Sequence, residues 1–164
     1  MNRRRWWPLA AALASFAVGA AAPGDRAPEL SLPDSAGRPV TLQAMKGKVV
    51  YVDFWASWCG PCRQSFPWMA DLQRRYGPQG FEVVAINVDK KRADAERFLA
   101  STPAAFTVVY DPAGATPSAW DVRAMPSSYL IDRQGRVVHV DQGFREMDKP
   151  VLEARVRAAV EAQR

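Results

Sequence analysis

Residues 49–62 read VVYVDFWASWCGPC, an apolar run that leads directly into two cysteines separated by two residues. The run from Val49 to Trp55 is rich in β-branched and aromatic residues, which is typical of a strand buried in the centre of a sheet. Pro61 then suits the first turn of a helix, where a proline costs no backbone hydrogen bond. The stretch therefore predicts a central strand followed at once by a helix whose N-terminus carries Cys59 and Cys62.

The rest of the chain predicts further strands and helices around this unit. Apolar residues at helical spacing predict helices over residues 61–76, 93–100 and 151–160, and a short helix near residues 118–122. Short apolar runs predict strands over residues 81–88, 107–110, 128–131 and 137–140, and residues 30–32 and 40–42 flank a turn as an N-terminal hairpin. This order of elements indicates an α/β sandwich with a mixed sheet.

Two cysteines in this spacing are compatible with three kinds of site. A structural zinc site needs four ligands, whereas the chain offers two cysteines and a single histidine, His139. Covalent haem attachment requires a histidine directly after the second cysteine, where Arg63 stands. A redox pair fits, because the N–H groups and the macrodipole of a helix N-terminus stabilise a thiolate. We therefore interpret Cys59, exposed ahead of the helix, and the more buried Cys62 as a redox pair.

The amino terminus has the pattern of an export signal. Three arginines at positions 3–5 precede residues 6–22, a run without charge in which eight residues are alanine. A basic start, a short apolar run and small residues at its end are typical of a secretory signal peptide. We predict a signal peptide over residues 1–21, cleaved after Ala20 or Ala21. A retained membrane anchor over residues 6–22 is the alternative.

The net charge of the chain depends strongly on this leader. The full sequence of 164 residues has 22 basic and 17 acidic residues and a formal charge of +5, and loss of the three N-terminal arginines leaves 19 basic residues and a charge of about +2. The remaining bases are scattered and form no basic face with interleaved aromatic residues, so we expect no binding to nucleic acid. The length favours one domain, which we place at residues 22–164.

The residues around the cysteines resemble those of the thioredoxin superfamily. Residues 52–56 followed by residues 58–62 look like the signature of thioredoxin itself, and Pro67 stands where that family kinks its active-site helix. Met125 and Pro126, just before a predicted strand, stand where the family places its cis-proline loop. The resemblance implies a thioredoxin-like three-layer sandwich with a central mixed β-sheet and an N-terminal β-hairpin extension.

Other parts of the chain are more narrowly similar to the exported thiol–disulfide oxidoreductases of the TlpA/ResA type. These parts are the signal-like start, the N-terminal hairpin, INVD at residues 86–89 and LIDRQG at residues 130–135. The similarity covers residues 27–160. It implies thiol–disulfide exchange without a cofactor or metal: the Cys59 thiolate attacks a partner disulfide, and Cys62 then releases the reduced partner. It further implies that the substrate is held by residues around Cys59, namely Trp58, Gly60, Pro61, Met125 and a cis Pro126.

Two departures from the exported group concern its acid–base residue. That group commonly has a glutamate two residues before the helix proline, whereas this chain has Ser65. The group often has asparagine at the position of Asp53, where thioredoxin has aspartate. We expect Asp53 to be the catalytic acid–base group, because burial raises the pKa of a carboxyl and equips it to take the proton of Cys62. Ala85 stands where thioredoxin has a lysine near this carboxylate.

The resemblance also implies a cellular role. We expect a monomeric reductant in the periplasm or otherwise exported, kept reduced by a membrane thiol electron donor of the DsbD type. Its partners would be disulfide-containing client proteins in cytochrome c maturation or in thiol maintenance at metal sites. Two alternatives stay open: a module that binds Cu(I) through both thiolates without turnover, and a peroxiredoxin-like peroxidase.

Overall fold

The fold is that of a computed structural model in which residues 21–162 are described. The predicted signal peptide lies outside the described residues except for its last position. An N-terminal hairpin of β1 (Ser31–Pro33) and β2 (Pro39–Thr41) precedes the central sheet, as predicted. The five strands of that sheet are β3 (Val49–Trp55), β4 (Phe81–Asn87), β5 (Thr107–Tyr110), β6 (Ser127–Ile131) and β7 (Val137–Gln142).

The sheet is mixed, and β3 lies at its centre. The spatial order is β5-β4-β3-β6-β7, in which β3 pairs in parallel with β4, β4 in parallel with β5, and β6 antiparallel with both β3 and β7. Its helices are α1 (Gly60–Tyr76), α2 (Arg92–Ser101), α3 (Ala115–Ala119) and α4 (Lys149–Glu161). This is the predicted thioredoxin-like sandwich. None of the helices described is long and apolar enough to cross a membrane.

Both faces of β3 are buried, which explains its continuous apolar sequence. Tyr51 and Trp55 pack towards α1, α2 and α4, whereas Val52 and Phe54 pack on the other face against Trp120 and the N-terminal segment. A strand covered on both sides has no solvent-facing positions and therefore shows no polar alternation. Aromatic rings fill the α1 side, and the centroid of Trp55 lies 4.9 Å from Phe66 and 4.7 Å from Phe98. The predicted buried strand is confirmed.

The hairpin protects one edge of the central sheet. Asp34, in the turn between β1 and β2, forms an isolated antiparallel bridge with Val109 of β5, the edge strand. The guanidinium of Arg92 at the start of α2 donates to the carbonyl of Ser35 at 2.7 Å. An exposed strand edge is a template for aggregation, so the hairpin shields β5 from other chains.

The short helix lies earlier than predicted, at Ala115–Ala119 instead of near residues 118–122. The Asp111 carboxylate accepts hydrogen bonds from the N–H groups of Gly114 and Thr116 at 3.0 and 2.7 Å, which starts the helix before the apolar residues. Asp121, with φ of 55°, then takes the left-handed conformation that ends a helix. Trp120 is consequently buried in the core.

Candidate active site

The two cysteines form a disulfide at the N-terminus of α1. Cys59 is the N-cap residue, and its Sγ accepts a hydrogen bond from the Cys62 N–H at 3.2 Å. The Cα atoms of Cys59 and Cys62 are 5.3 Å apart, and Pro61 occupies the first turn. The first turn of α1 contains no acidic residue, so the positive end of the helix dipole faces the sulfur atoms uncompensated. This arrangement favours a negative charge on sulfur once the disulfide is reduced.

The structure corrects the expected exposure of Cys59. In the disulfide form Cys59 is only 4% exposed, and Cys62 is fully buried. The capping hydrogen bond and the disulfide both turn the Cys59 side chain towards the helix, where it joins the apolar cluster of Trp55 and Phe66. The prediction that Cys59 projects into solvent is therefore wrong for the oxidised protein, whereas the prediction that Cys62 is the more buried of the two is confirmed.

Trp58 and Gly60, which flank Cys59, are both exposed at the surface. Trp58, directly before Cys59, is 69% exposed, although tryptophan is usually largely buried. A Cβ atom added to Gly60 would meet nothing within 4 Å, so the surface beside Cys59 is free at this point. The surface next to the disulfide therefore consists of the accessible indole of Trp58 and the bare backbone of Gly60.

A second loop borders the same cluster. The Met125–Pro126 peptide bond is cis, and the Pro126 carbonyl accepts a hydrogen bond of 2.7 Å from the Gly143 N–H. Met125 packs partly buried against the apolar cluster that contains Cys59 and Cys62. Met125 thus packs against the cluster to which both cysteines belong, although it lies more than sixty positions from them in the chain.

Asp53 lies on the α1 side of the sheet. It alternates with Tyr51 and Trp55, which pack in the same cluster as the two cysteines, and it is 2% exposed. Burial raises the pKa of Asp53 well above the usual value of an aspartate. Its direct neighbour on β4 is Ala85, so no positive charge stands at that position. The expected rise in pKa is confirmed, while the catalytic role of Asp53 stays a prediction.

Ser65 does not replace the glutamate of the exported group as an acid. It is buried, and its hydroxyl donates to the Cys62 carbonyl at 3.1 Å. A serine hydroxyl does not ionise at physiological pH, and here it is engaged by the backbone of its own helix. Among the residues of β3 and α1, Asp53 is therefore the one buried acidic residue.

Sequence reasoning missed the pair that positions the active-site loop. Asp89, just after β4, accepts hydrogen bonds of 2.9 Å from both the N–H and the hydroxyl of Ser57, and one of 2.8 Å from the Asn87 side chain. Because β3 and β4 are parallel, their carboxyl ends meet, which places Asp89 beside the loop that leads to Cys59. The signal that could have identified it is an aspartate two residues after the apolar run of β4, the next predicted strand along the chain.

Arg63 adds a positive charge one residue after Cys62. Its guanidinium donates to the hydroxyl of Ser101 at 3.0 Å and lies 4.6 Å from the centroid of the Phe98 ring. The guanidinium is thus held against α2. Across residues 21–162, no three histidine, cysteine, aspartate or glutamate side chains are grouped to hold a metal ion.

Comparisons with known proteins match almost the whole described domain. The family model described as Redoxin matches residues 22–156. The thiol–disulfide oxidoreductase ResA of Bacillus subtilis is 38% identical over 120 residues, which are 73% of this chain and 67% of that protein. ResA of Geobacillus thermodenitrificans is 35% identical over 124 residues, 76% of this chain and 71% of that protein. A crystal structure described as thiol:disulfide interchange protein DsbE from Chlorobium tepidum superposes with a TM-score of 0.82 at 53% identity, covering 85% of this chain and 98% of that one.

Proposed function

This chain belongs to the redoxin family and is a thiol–disulfide oxidoreductase, and on that basis we propose that it reduces protein disulfides through Cys59 and Cys62. The observation that carries the proposal is the place of the pair: a disulfide at the N-terminus of α1, with the buried carboxyl of Asp53 on the same side of the sheet. The helix N-terminus supplies the electrostatic stabilisation that a nucleophilic thiolate needs.

The proposed reaction transfers two electrons in two exchange steps. The Cys59 thiolate attacks one sulfur of the partner disulfide, a mixed disulfide forms, and the second partner sulfur leaves as a thiolate that takes a proton from solvent. Asp53 as carboxylate accepts the proton of the Cys62 thiol. The Cys62 thiolate then attacks Cys59 Sγ, the disulfide of the active site forms, and the partner leaves with both sulfurs reduced.

The substrate is proposed to bind across the exposed surface of Trp58 and Gly60 beside the disulfide. Trp58 supplies an exposed apolar surface, Gly60 and Pro61 leave room for the incoming sulfur, and Met125 forms the opposite wall. The loop at Pro126 presents backbone groups with which an extended segment of the partner can pair, in the manner of an added strand. The partners are accordingly disulfide-containing client proteins in an accessible, extended conformation.

The reduction potential of the Cys59–Cys62 pair tests the direction of electron flow. Equilibration of the purified protein with glutathione redox buffers, followed by thiol alkylation and mass spectrometry, measures the potential directly. A reductant has a potential near that of thioredoxin, about −270 mV, whereas an oxidant of folding proteins has one near that of DsbA, about −120 mV. A value at the oxidising end would overturn the proposal.

Assays of turnover and of metal binding separate the proposed function from the two other functions that the cysteine pair suits. Catalysed reduction of insulin disulfides, lost in Cys59→Ser, supports the oxidoreductase. Tight Cu(I) binding without any turnover of insulin would favour a copper module, since soft thiolates suit that ion. Stoichiometric consumption of peroxide would favour a peroxidase.

The cell envelope is the proposed location. The basic start and the apolar run over residues 6–22 support a signal peptide over residues 1–21, and an exported reductant requires electrons from a membrane thiol donor of the DsbD type. The clients proposed are apocytochromes c or proteins with metal-site thiols, and the protein is proposed to act as a monomer. N-terminal sequencing of protein from the envelope fraction tests the leader: a start at Ala21 or Ala22 supports cleavage, whereas an intact Met1 in the membrane fraction supports an anchor.

A further inference from the structure

A row of paired residues crosses the sheet at the level of Asp53. Ala85 on β4, Asp53 on β3, Ser128 on β6 and Asp141 on β7 are successive Cα partners. Directly paired residues point to the same face of a sheet, and their Cβ atoms in antiparallel pairs lie about 4.5–5.5 Å apart. Ser128 is therefore the direct cross-strand neighbour of Asp53 on the side away from Ala85.

Ser128 is also held by a buried tyrosine of the strand that carries Asp53. The Tyr51 hydroxyl donates to Ser128 Oγ at 2.8 Å, and both side chains are buried. Burial, together with the nearby charge of Asp53, raises the pKa of Tyr51, so this hydroxyl keeps its proton over the working range of pH. A serine that accepts a hydrogen bond still has its own proton to donate. Within the described part of the chain, no acceptor is found for that proton.

The proposed reaction requires a hydrogen-bond donor for the ionised Asp53 carboxylate. Asp53 must ionise before it can accept the proton of Cys62, yet its Oδ2 is buried and has no hydrogen-bond partner among residues 21–162. An ionised carboxylate in an apolar interior is costly unless donors are available to it. Within the row, the hydroxyl of Ser128 is the donor for which residues 21–162 provide no acceptor.

We propose that Ser128 is a positioning residue for the acid–base step: its hydroxyl, held by Tyr51, donates to the Asp53 carboxylate when that group ionises. The inference rests on the proposed function, because it assigns to Ser128 a role that acts through Asp53. No proton is transferred among the Tyr51 hydroxyl, the Ser128 hydroxyl and the Asp53 carboxylate. The proton that moves is that of the Cys62 thiol, which the stabilised carboxylate accepts.

Other charges on this face lie farther along the row or are neutralised. Asp141 is paired with Arg155 of α4 in a salt bridge. Burial, and then the charge of Arg155, lowers the pKa of His139, which lies two residues before Asp141, so that histidine is neutral near pH 7. The thiols of Cys59 and Cys62 are the ionisable groups that α1 adds, and they do not titrate while they form the disulfide.

The oxidised protein therefore allows a clean test. Carboxyl ¹³C NMR would follow the titration of Asp53 in the wild type and in Ser128→Ala, Tyr51→Phe and Ser128→Thr. We expect Ser128→Ala to raise the measured pKa of Asp53 by about one pH unit, the effect of losing one hydrogen bond to a charged acceptor. Tyr51→Phe should raise it by less, and Ser128→Thr, which keeps the hydroxyl, should restore the wild-type value.

The matched control is Ser127→Ala. Ser127 is the neighbouring serine, it pairs with Phe54 on the opposite face, and its hydroxyl donates to the Ala124 carbonyl. This variant should leave the Asp53 titration unchanged, and amide spectra would show that every variant is folded. An Asp53 titration in Ser128→Ala equal to that in Ser127→Ala would overturn the proposal.

The pH profile of insulin reduction separates this inference from the proposed function. The acid limb of the profile should move upward in Ser128→Ala by the same amount as the Asp53 titration. If Asp53→Asn reduces insulin as fast as the wild type, the acid–base role of Asp53 is wrong. The effect of Ser128 on the pKa of Asp53 is tested by the NMR titration alone.

Discussion

Asp89 binds Ser57 through both carboxylate oxygens, one to the backbone N–H and one to the hydroxyl, each at 2.9 Å. Ser57 lies two residues before Cys59, whereas Asp89 follows a different strand. The contact therefore fixes the active-site loop to the end of β4 as well as to its own strand. The Asn87 side chain also donates to this carboxylate, and the Asn87 side-chain oxygen accepts from the Asp89 N–H at 3.1 Å.

Asp89→Ala should destabilise the protein and loosen the active-site loop that contains Ser57. The change removes three hydrogen bonds to a charged acceptor and leaves the Ser57 N–H without its partner, so we expect a loss of about 2–3 kcal/mol in the free energy of unfolding. Urea denaturation measures it. Glu96→Ala is the control, because it removes an acid from an exposed ion pair with Arg92 and should cost under about 1 kcal/mol. Equal losses in both variants would contradict the role of Asp89.

The two cysteines should behave differently when each is replaced. Cys62→Ser keeps the proposed nucleophile but lacks the group that resolves the mixed disulfide, so it should accumulate covalent complexes with client proteins. Cys59→Ser should form none and should lose insulin reduction entirely. Non-reducing electrophoresis of both variants, with and without dithiothreitol, distinguishes them. Abundant complexes with Cys59→Ser and none with Cys62→Ser would reverse the assigned roles.

Asp53→Asn should stabilise the protein in a pH-dependent manner. The pKa of Asp53 is raised in the folded state, so the folded protein binds the proton more tightly than the unfolded chain does. The wild type therefore loses stability as pH rises from the unfolded value of about 3.9 through the folded pKa, by about 1.4 kcal/mol for each pH unit between the two. The variant lacks this loss, so its advantage should be absent below about pH 4 and largest in alkali.

Unfolding measured in urea from pH 3 to pH 9 checks this dependence, and the same variant tests catalysis. Loss of the carboxylate should slow the release of reduced substrate from the mixed disulfide, which rapid acid quenching detects. An advantage of Asp53→Asn that is the same at all pH values would show that the titration of Asp53 is not its cause.

Trp58→Ala should affect substrate binding and leave stability unchanged. The indole is 69% exposed, so its removal should change the free energy of unfolding by under about 0.5 kcal/mol. Loss of its apolar surface should raise KM for a protein disulfide several-fold, while the rate with a small disulfide such as oxidised glutathione stays near that of the wild type. Equal effects on both substrates would place Trp58 in the chemistry of the pair instead of in docking.

Phe66→Ala should produce a large loss of stability. Phe66 is fully buried, and its ring contacts Trp55, Phe98 and Phe106 at centroid distances of 4.9, 5.0 and 5.3 Å. Truncation leaves a cavity among rings that cannot collapse freely, which costs about 3–5 kcal/mol. Thermal and urea unfolding measure the loss, and a change below about 1 kcal/mol would show that this cluster is not the centre of the core.

Local patterns were sufficient for most of the fold. Apolar runs predicted all five strands of the sheet to within two residues at either end. The prediction was simplest for β3 and β4, which are buried along almost their whole length and are therefore mostly apolar. Helical spacing predicted α1, α2 and α4 in the same way. The short helix was misplaced because its start depends on Asp111, whose side-chain hydrogen bonds are not visible in an apolar pattern.

The amino-acid sequence by itself identified the candidate residues of the site. Two cysteines at the start of a predicted helix and a carboxyl inside an apolar strand are local features that single out Cys59, Cys62 and Asp53, whereas Pro126 was singled out by the resemblance to the thioredoxin superfamily. Only the tertiary structure decided how these groups are held. The bond from Asp89 to Ser57 spans 32 positions and the one from Tyr51 to Ser128 spans 77, and both depend on strand order and register. The burial of Cys59 likewise follows from packing, because exposure is a property of the surroundings that the finished fold brings together.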